Sequence, residues 1–139
     1  MKGLTALFAL IIPAVLSSGC GGPTDPSDNV VETFTGTIAY VAGGTPQGSQ
    51  HTFTVSNDGE LFITLVTLTP ALPVGKYAIL ALGVNSGSSC GYDQTVQNNF
   101  ARPGTQLTIP ARKGAFCVGI FDKGDFTAEE AYELKVSHP

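Results

Sequence analysis

The stretch KGAFCVGIFDKGD, residues Lys113–Asp125, decides how the rest of the chain is interpreted. Its apolar run Ala115–Phe121 is bounded on both sides by glycine and charged residues, a pattern typical of a buried strand that ends in a turn. Cys117 lies inside this run. We therefore predict a central strand here, with the remaining strands packed around it.

The segments before and after this strand predict an all-β domain. Alternating or apolar runs separated by turn residues occur at residues 31–40, 51–56, 60–69, 77–84, 91–101, 106–109 and 131–136. We expect a hairpin turn at Asn57–Gly59 and a short helical turn at Asp125–Glu130. The run 91–101 is polar and weakly patterned, so an irregular edge strand or a crossing loop is favoured over a helix. Together these patterns predict a β-sandwich of about eight strands.

The amino terminus has the organisation of a secretory signal. A positive charge at Lys2 precedes the apolar segment Leu4–Leu16, and small residues follow it. The segment is too short to span a bilayer, which needs about 20 apolar residues. The tail Leu16–Cys20 resembles the lipobox of bacterial lipoproteins, which implies cleavage before Cys20 and lipidation of that cysteine. A plain secreted protein is the alternative interpretation.

The chain then divides into three predicted parts. Residues 1–19 form a lipoprotein signal peptide, residues 20–29 a lipidated flexible tether, and residues 30–139 a single β-sandwich domain. We expect the lipid to anchor the domain to a bacterial membrane in the cell envelope. If the cell has two membranes, Gly21 after the lipidated cysteine resembles a signal for the outer one.

Charge restricts the class of partner. Without the signal peptide, six basic residues against eleven acidic ones leave a formal net charge of −5. Because the acidic chain has no basic cluster, the sequence excludes nucleic acid and anionic lipid headgroups as expected partners. The expected partners are the membrane, through the lipid, and an envelope glycan or protein.

Two cysteines remain in the domain, Cys90 and Cys117. Thiols of exported proteins are oxidised, so we predict a disulfide between them. Such a bond would stabilise the fold by about 3–4 kcal/mol through the unfolded state. The alternative is that Cys117 is a free cysteine buried in the core.

Four segments resemble the bacterial pre-peptidase C-terminal domain. They are Phe53–Val55, Gly59–Leu65, Gly114–Asp122 and Ala131–Val136. The resemblance implies a jelly-roll-like β-sandwich that serves as an accessory module. The family often has an aspartate-rich strand where this chain has the apolar run Tyr77–Leu82, so a calcium or substrate role of those acids is not carried over.

The polar run that begins at Tyr92 is the predicted ligand-binding segment. It offers hydrogen-bond donors and acceptors on a weakly structured part of the domain, where binding functions commonly lie. Exposed tyrosine rings can stack on the apolar face of a sugar, and Tyr40 and Tyr132 are further candidates for such a platform. Half-buried packing of these rings is the alternative. The predicted ligand-binding residues are Tyr92, Asp93, Gln97 and Asn98.

The segment Asp122-Lys123-Gly124-Asp125 is the candidate metal site. Calcium prefers several oxygen ligands on a tight loop, and the carboxylates of Asp122 and Asp125 supply two. Glu129, Glu130 or Asp58 are candidates for more distant ligands. An ordinary turn is the alternative, and no other cofactor is predicted.

Catalytic motifs are weak. Residues 87–91 match the Gly-x-Ser-x-Gly string around Ser89, but no helical segment follows, as a hydrolase elbow requires. His51 is predicted to be solvated at the start of a strand, and His138 lies in a terminal tail that is expected to fray. The nitrogen and sulfur ligands are too few for zinc. We therefore predict that the protein is not an enzyme.

The function that these observations favour is a lipid-anchored, non-catalytic binding or accessory module of the cell envelope. Its expected ligand is a glycan or a protein. The alternative is a structural envelope lipoprotein without a specific ligand. A small secreted hydrolase is the least favoured interpretation.

Overall fold

The computed structural model describes residues 24–139, apart from the side chains of Gln94 and Thr95. The predicted signal peptide and the lipidation site Cys20 lie outside the described residues. A short 3-10 turn, Pro26–Asp28, precedes eight strands. The strands are β1 Val30–Ile38, β2 Gly48–Val55, β3 Gly59–Thr69, β4 Ala78–Asn85, β5 Cys90–Ala101, β6 Gln106–Ala111, β7 Gly114–Asp122 and β8 Glu130–His138. The predicted all-β sandwich is confirmed.

The strands form two four-stranded antiparallel sheets. Sheet A has the order β1-β8-β3-β6, and sheet B has the order β2-β7-β4-β5. Strands that follow each other in the chain thus lie in different sheets, except β4 and β5, which pair within sheet B. Repeated crossing between two layered sheets is typical of a jelly roll. The predicted central strand is β7, which lies between β2 and β4. The weakly patterned run became β5, an edge strand whose pairing with β4 has two register shifts.

The core lies between the two sheets. Alternation places Phe53 and Val55 of β2 inward, and it does the same for Tyr132, Leu134 and Val136 of β8. Each large aliphatic side chain buried in this way contributes about 1.5–3 kcal/mol. This burial against the facing sheet is what specifies the inward face of each strand.

Connections between strands fall at the two opposite ends of the sandwich. One end, here called the short-turn end, carries the connections 56–58, 86–89 and 112–113. The other, the loop end, carries the connections 39–47, 70–77, 102–105 and 123–129. Because the strands are antiparallel, every second connection lies at the same end.

The chain enters the described domain at the short-turn end. The Thr24 amide donates to the Asp58 carbonyl at 3.1 Å, and the Asn29 Nδ2 group donates to the Glu60 carbonyl at 2.8 Å. The last residues of the predicted tether are therefore hydrogen-bonded to the domain. In residues 24–139 no helix is long and apolar enough to cross a membrane.

The predicted disulfide is present. Cys90, the first residue of β5, is bonded to Cys117 of β7, and their Cα atoms are 6.2 Å apart. Gly83 of β4 is the cross-strand partner of Cys117, and a Cβ atom there would contact the Cys90 sulfur at 2.6 Å. The bond thus ties edge strand β5 to the centre of sheet B across a residue without a side chain.

Two predicted turns were wrong. Asn57–Gly59 does not close a hairpin, because β2 pairs with β7 in sheet B whereas β3 pairs with β6 and β8 in sheet A. The segment Asp125–Glu130 is not helical; it crosses from sheet B to sheet A, buries Phe126, and places Glu130 at the start of β8.

The carboxyl-terminal tail does not fray as expected. His138 belongs to β8, is buried, and its Nε2 lies 2.8 Å from an oxygen of Glu32 on β1. The carbonyl of Pro139 accepts hydrogen bonds from the amides of Ser56 and Asn57. Pairing with the 56–58 turn therefore holds the chain end at the short-turn end.

Candidate binding site

The loop end contains a polar pocket with a volume of about 210 Å³. The connection 39–47 forms one side of it, and Asp122, Gly124 and Phe126 form the other. Tyr40 lines the pocket and exposes 41% of its surface. The pocket thus combines an accessible aromatic ring, a carboxylate and the backbone of a glycine-rich loop.

The connection 39–47 is held in place by its own backbone and by β7. The Gly44 amide donates to the Val41 carbonyl at 2.9 Å, which closes a turn around Gly43 at φ 68°. That positive φ favours glycine, and a Cβ atom on Gly44 would collide with the Val41 side chain. The Asp122 amide donates to the Gln47 carbonyl at 2.8 Å, so the loop is attached to β7 where it returns to β2.

Asp122 organises the opposite side of the pocket. Its Oδ1 atom accepts hydrogen bonds from the amides of Gly124, Asp125 and Phe126 at 2.7, 2.8 and 3.1 Å. Because one carboxylate accepts hydrogen bonds from three consecutive backbone amides, it fixes the path of the 123–129 connection. In the described residues, all hydrogen bonds to this carboxylate fall on Oδ1.

Glu130 lies beside this side of the pocket. It is 2% exposed, and it is the cross-strand partner of Ile38, which directly precedes the pocket-lining segment. Burial, together with the negative charge of Asp122, raises the pKa of the Glu130 carboxyl. Its Oε2 atom has no hydrogen-bond partner within residues 24–139. The carboxyl groups of Asp122 and Glu130 therefore lie near enough to interact electrostatically at the loop end.

The carboxylates predicted to bind calcium do not converge on one point. Asp125 accepts from Lys76 Nζ and from the Tyr77 amide, both at 3.0 Å, and the hydrogen bond from Lys76 is the main reason that its pKa is lowered. Asp58 accepts from the Lys113 amide at the short-turn end. Within the described part of the chain, no group of three or more histidine, cysteine, aspartate or glutamate side chains is arranged to hold a metal ion.

Tyr92, the predicted ligand-stacking ring, lies on the outer face of sheet B with partners on both sides. Its hydroxyl donates to the Gln50 side chain at 3.1 Å, and its ring meets Phe121 edge-on at a centroid distance of 5.1 Å. Burial raises the pKa of Tyr92 to about 12. The hydroxyl contacts Gly119 so closely that a Cβ atom there would lie 2.6 Å from it. Tyr92 therefore packs over the sheet and does not present a free ring.

The other predicted binding residues are spread along β5. Gln97 Nε2 donates to Asn99 Oδ1 at 3.2 Å, and Asn98 Oδ1 accepts from the Phe100 amide at 2.7 Å, next to a register shift. Asp93 instead borders a cleft at the edge of the sandwich. These residues are neighbours in sequence, but the structure does not gather them around one pocket.

That edge cleft was missed by sequence reasoning. It has a volume of about 190 Å³ and is lined by β4, β5 and β7 of sheet B and by Ile109 of β6 in sheet A. Its lining is mainly apolar, with Val84, Val96, Ile109 and Phe116 beside Asp93. Between Tyr92 and Gln97, β5 has more residues than the facing part of β4, so the strand leaves the ladder there. Register irregularity of this kind depends on pairing, and no single residue signals it.

A cluster of cations and aromatic rings on the outside of the loop end was also missed. The Lys123 ammonium lies 4.1 Å from the centre of the Phe100 ring, and the Arg102 guanidinium lies 5.6 Å from that of Tyr77. Arg102 also donates to the carbonyls of Leu72 and Pro73, both at 2.6 Å. This arrangement holds the 70–77 connection against sheet B.

The histidines and Ser89 do not form a catalytic group. His51 was predicted to be solvated, but it is half-buried, stacks on Phe34 at 4.8 Å, and lies 2.7 Å from the Tyr132 hydroxyl. Burial lowers the pKa of His51. Ser89 lies in a turn at the short-turn end, where its carbonyl accepts from the Ser86 amide. Ser89 is the partner of neither histidine: His51 contacts Tyr132, and His138 contacts Glu32.

The architecture by itself leaves the function open, because sandwiches of this topology carry many unrelated activities. No protein-family model matches this chain, and no curated protein matches it.

Proposed function

We propose that this protein is a lipid-anchored β-sandwich of the bacterial cell envelope that acts as a non-catalytic binding module. The observation that carries the proposal is the relation between the two ends of the domain. Thr24 is hydrogen-bonded at the short-turn end, and the polar pocket lies at the loop end. An anchor attached before Thr24 therefore leaves the pocket directed away from the membrane.

The length of the intervening chain supports this orientation. Cys20, the proposed lipidation site, precedes Thr24 by four residues, which span at most about 14 Å when extended. Such a short segment keeps the short-turn end near the lipid headgroups. Two or three acyl chains, each stabilised by about 0.8 kcal/mol per buried methylene, hold such a domain on a membrane. The resemblance to the pre-peptidase C-terminal domain fits the same role, that of an accessory module for a glycan or protein ligand.

Metabolic labelling with an alkyne fatty acid tests the anchor. We expect the wild-type protein to carry the label and to sediment with membranes, and Cys20→Ser to lose both properties. The double variant Cys90→Ser/Cys117→Ser is the matched control, because it removes the other two thiols and should keep the label. Membrane association and labelling that persist in Cys20→Ser would refute the proposed anchor.

Binding is tested separately, with the full-length protein in detergent micelles on arrays of glycans and peptides. A binding module retains a defined subset of either array. A structural lipoprotein retains no glycan or peptide from the arrays. Deleting its gene is expected to weaken the envelope. Absence of any specific retention, together with such a phenotype, would favour the structural alternative.

A further inference from the structure

We propose that the pocket at the loop end binds an uncharged glycan, with the Tyr40 ring as its stacking surface. This inference rests on the proposed binding function and assigns it a site and a class of ligand. It differs from the sequence-based expectation, which placed the site at Tyr92 on β5. Three properties of the pocket lead to it: the accessible ring, the Asp122 carboxylate and the fixed loop.

The tyrosines differ in what their rings contact. All four lie in the described part of the chain. Tyr132 is 3% exposed in the core, Tyr92 packs against Phe121, and Tyr77 packs edge-on against Phe100 and beneath Arg102. Tyr40 is the exposed tyrosine, and it lines a pocket. The C–H groups of a sugar carry partial positive charge, so they are attracted to the negative face of such a ring.

The pocket also offers hydrogen-bond partners suited to hydroxyl groups. The second oxygen of the Asp122 carboxylate accepts no hydrogen bond from the described residues, and Gln47 contributes polar atoms from the facing loop. The described residues that line the pocket include one charged side chain, the Asp122 carboxylate, and no cation. Carboxylates repel anionic groups and accept hydrogen bonds from hydroxyls, so the ligand that fits is a neutral polyol and not a phosphate or a uronic acid.

The fixed backbone of the loop favours binding. The turn at Val41–Gly44 and the hydrogen bond from Asp122 to Gln47 hold the 39–47 connection at two points, and the Asp122 carboxylate holds the facing connection. A ligand that enters therefore has little backbone to order, which lowers the entropic cost of binding. The orientation away from the membrane leaves the pocket open to polymers of the envelope.

Calorimetric titration of the full-length protein in detergent micelles tests the proposal. The probes are tri-N-acetylchitotriose and cellotriose, which are neutral, and trigalacturonate, which is anionic. We expect saturable binding of at least one neutral probe, and binding of the anionic probe that is about tenfold weaker or undetectable. A tenfold difference in Kd corresponds to about 1.4 kcal/mol.

Variants of two tyrosines locate the site. Tyr40→Ala is expected to raise the Kd by about tenfold or more, whereas Tyr40→Phe, which keeps the ring, should remain within about twofold. Tyr92→Phe is the matched control on β5 and should not change the Kd. Tyr40 lies outside the strands, and Tyr92→Phe keeps the ring that packs on Phe121, so a circular dichroism melt should show all three variants folded.

Two results would overturn the inference. One is the absence of saturable binding of either neutral probe up to about 10 mM, well above the range of weak specific sites. The other is binding that is unchanged in Tyr40→Ala. If a neutral probe binds and is lost only in a Tyr92 variant, the proposed binding function stands and the loop-end site is wrong. If the wild-type protein carries no lipid label in the anchor experiment, that result refutes the proposed localisation and leaves the loop-end site untouched.

Discussion

The two ends of the sandwich are built differently. At the short-turn end, the connections are two to four residues long, and Thr24, Pro139 and Cys90 of the disulfide lie beside them. At the loop end, the connections are four to nine residues long, and two of them enclose a polar pocket that is lined by the Asp122 carboxylate. This difference indicates that stability is concentrated at one end, whereas the surface available for a ligand is concentrated at the other.

Removing the disulfide should have the largest effect on stability. The double variant Cys90→Ala/Cys117→Ala releases a loop with a sequence separation of 27, which should lower the free energy of unfolding by about 3–4 kcal/mol. Urea denaturation with and without the bond measures the loss. A smaller loss than that caused by Asp122→Ala would contradict the division between the two ends.

Removing the Asp122 carboxylate should have the largest effect at the loop end. Asp122→Ala leaves three backbone donors without their acceptor, at a cost of about 1–2 kcal/mol. Hydrogen exchange should accelerate at residues 124–126 and remain unchanged at the short-turn end. Asp122→Asn keeps an acceptor oxygen and should lose less than half as much. Equal losses in both variants would mean that charge, and not the acceptor geometry, holds this loop.

Asn29 tests the opposite end with a smaller expected effect. Its Nδ2 group donates to the Glu60 carbonyl and, at 3.2 Å, to the Ser137 hydroxyl, so Asn29→Ala should cost about 1 kcal/mol. Asn29→Asp has the same shape but cannot donate, and it should cost a similar amount. Ligand binding at the loop end should be unaffected in both variants, and a change in the measured Kd would show that the ends are coupled.

The pH dependence contributed by His51 should be the smallest effect. Burial lowers the pKa of this imidazole below its ordinary 6.5, so the folded state favours the neutral form. The resulting stability is present above pH 6.5 and is lost as the pH falls below that value. The melting temperature should therefore decrease more between pH 7.5 and pH 5.5 in the wild type than in His51→Phe. Identical decreases in both proteins would mean that other titratable groups cause the pH dependence. Glu130, which is buried, is present in both proteins and is one such group.

The strands were predictable because their patterns are local. The apolar run Ala115–Phe121 became β7, and the alternation in 131–136 became the centre of β8, whose Tyr132, Leu134 and Val136 lie in the core. Which strands pair with each other could not be predicted from local patterns. The turn residues of Asn57–Gly59 are compatible with a hairpin. However, β2 pairs with β7 in sheet B and β3 pairs with β8 in sheet A, so the turn connects the two sheets.

The candidate site was predicted less well, for the same reason. Tyr92 is followed by a polar run, whereas Tyr40 is flanked by Ala39 and Val41, so the sequence favoured Tyr92 as the accessible ring. Gly119 of β7 instead leaves room for the Tyr92 side chain to lie over sheet B. His51 looked like a solvated residue because the loop before it is polar, and only the facing β1 strand supplies the Phe34 ring that covers it.

The sequence alone determined the all-β class, the position of the central strand and the pair of cysteines that form the bond, because periodicity and oxidation chemistry are readable from neighbouring residues. Only the tertiary structure decided which strands pair, which tyrosine is accessible and which end of the domain carries the pocket. Those properties depend on residues that are distant in the chain and meet only when two sheets close over a common core.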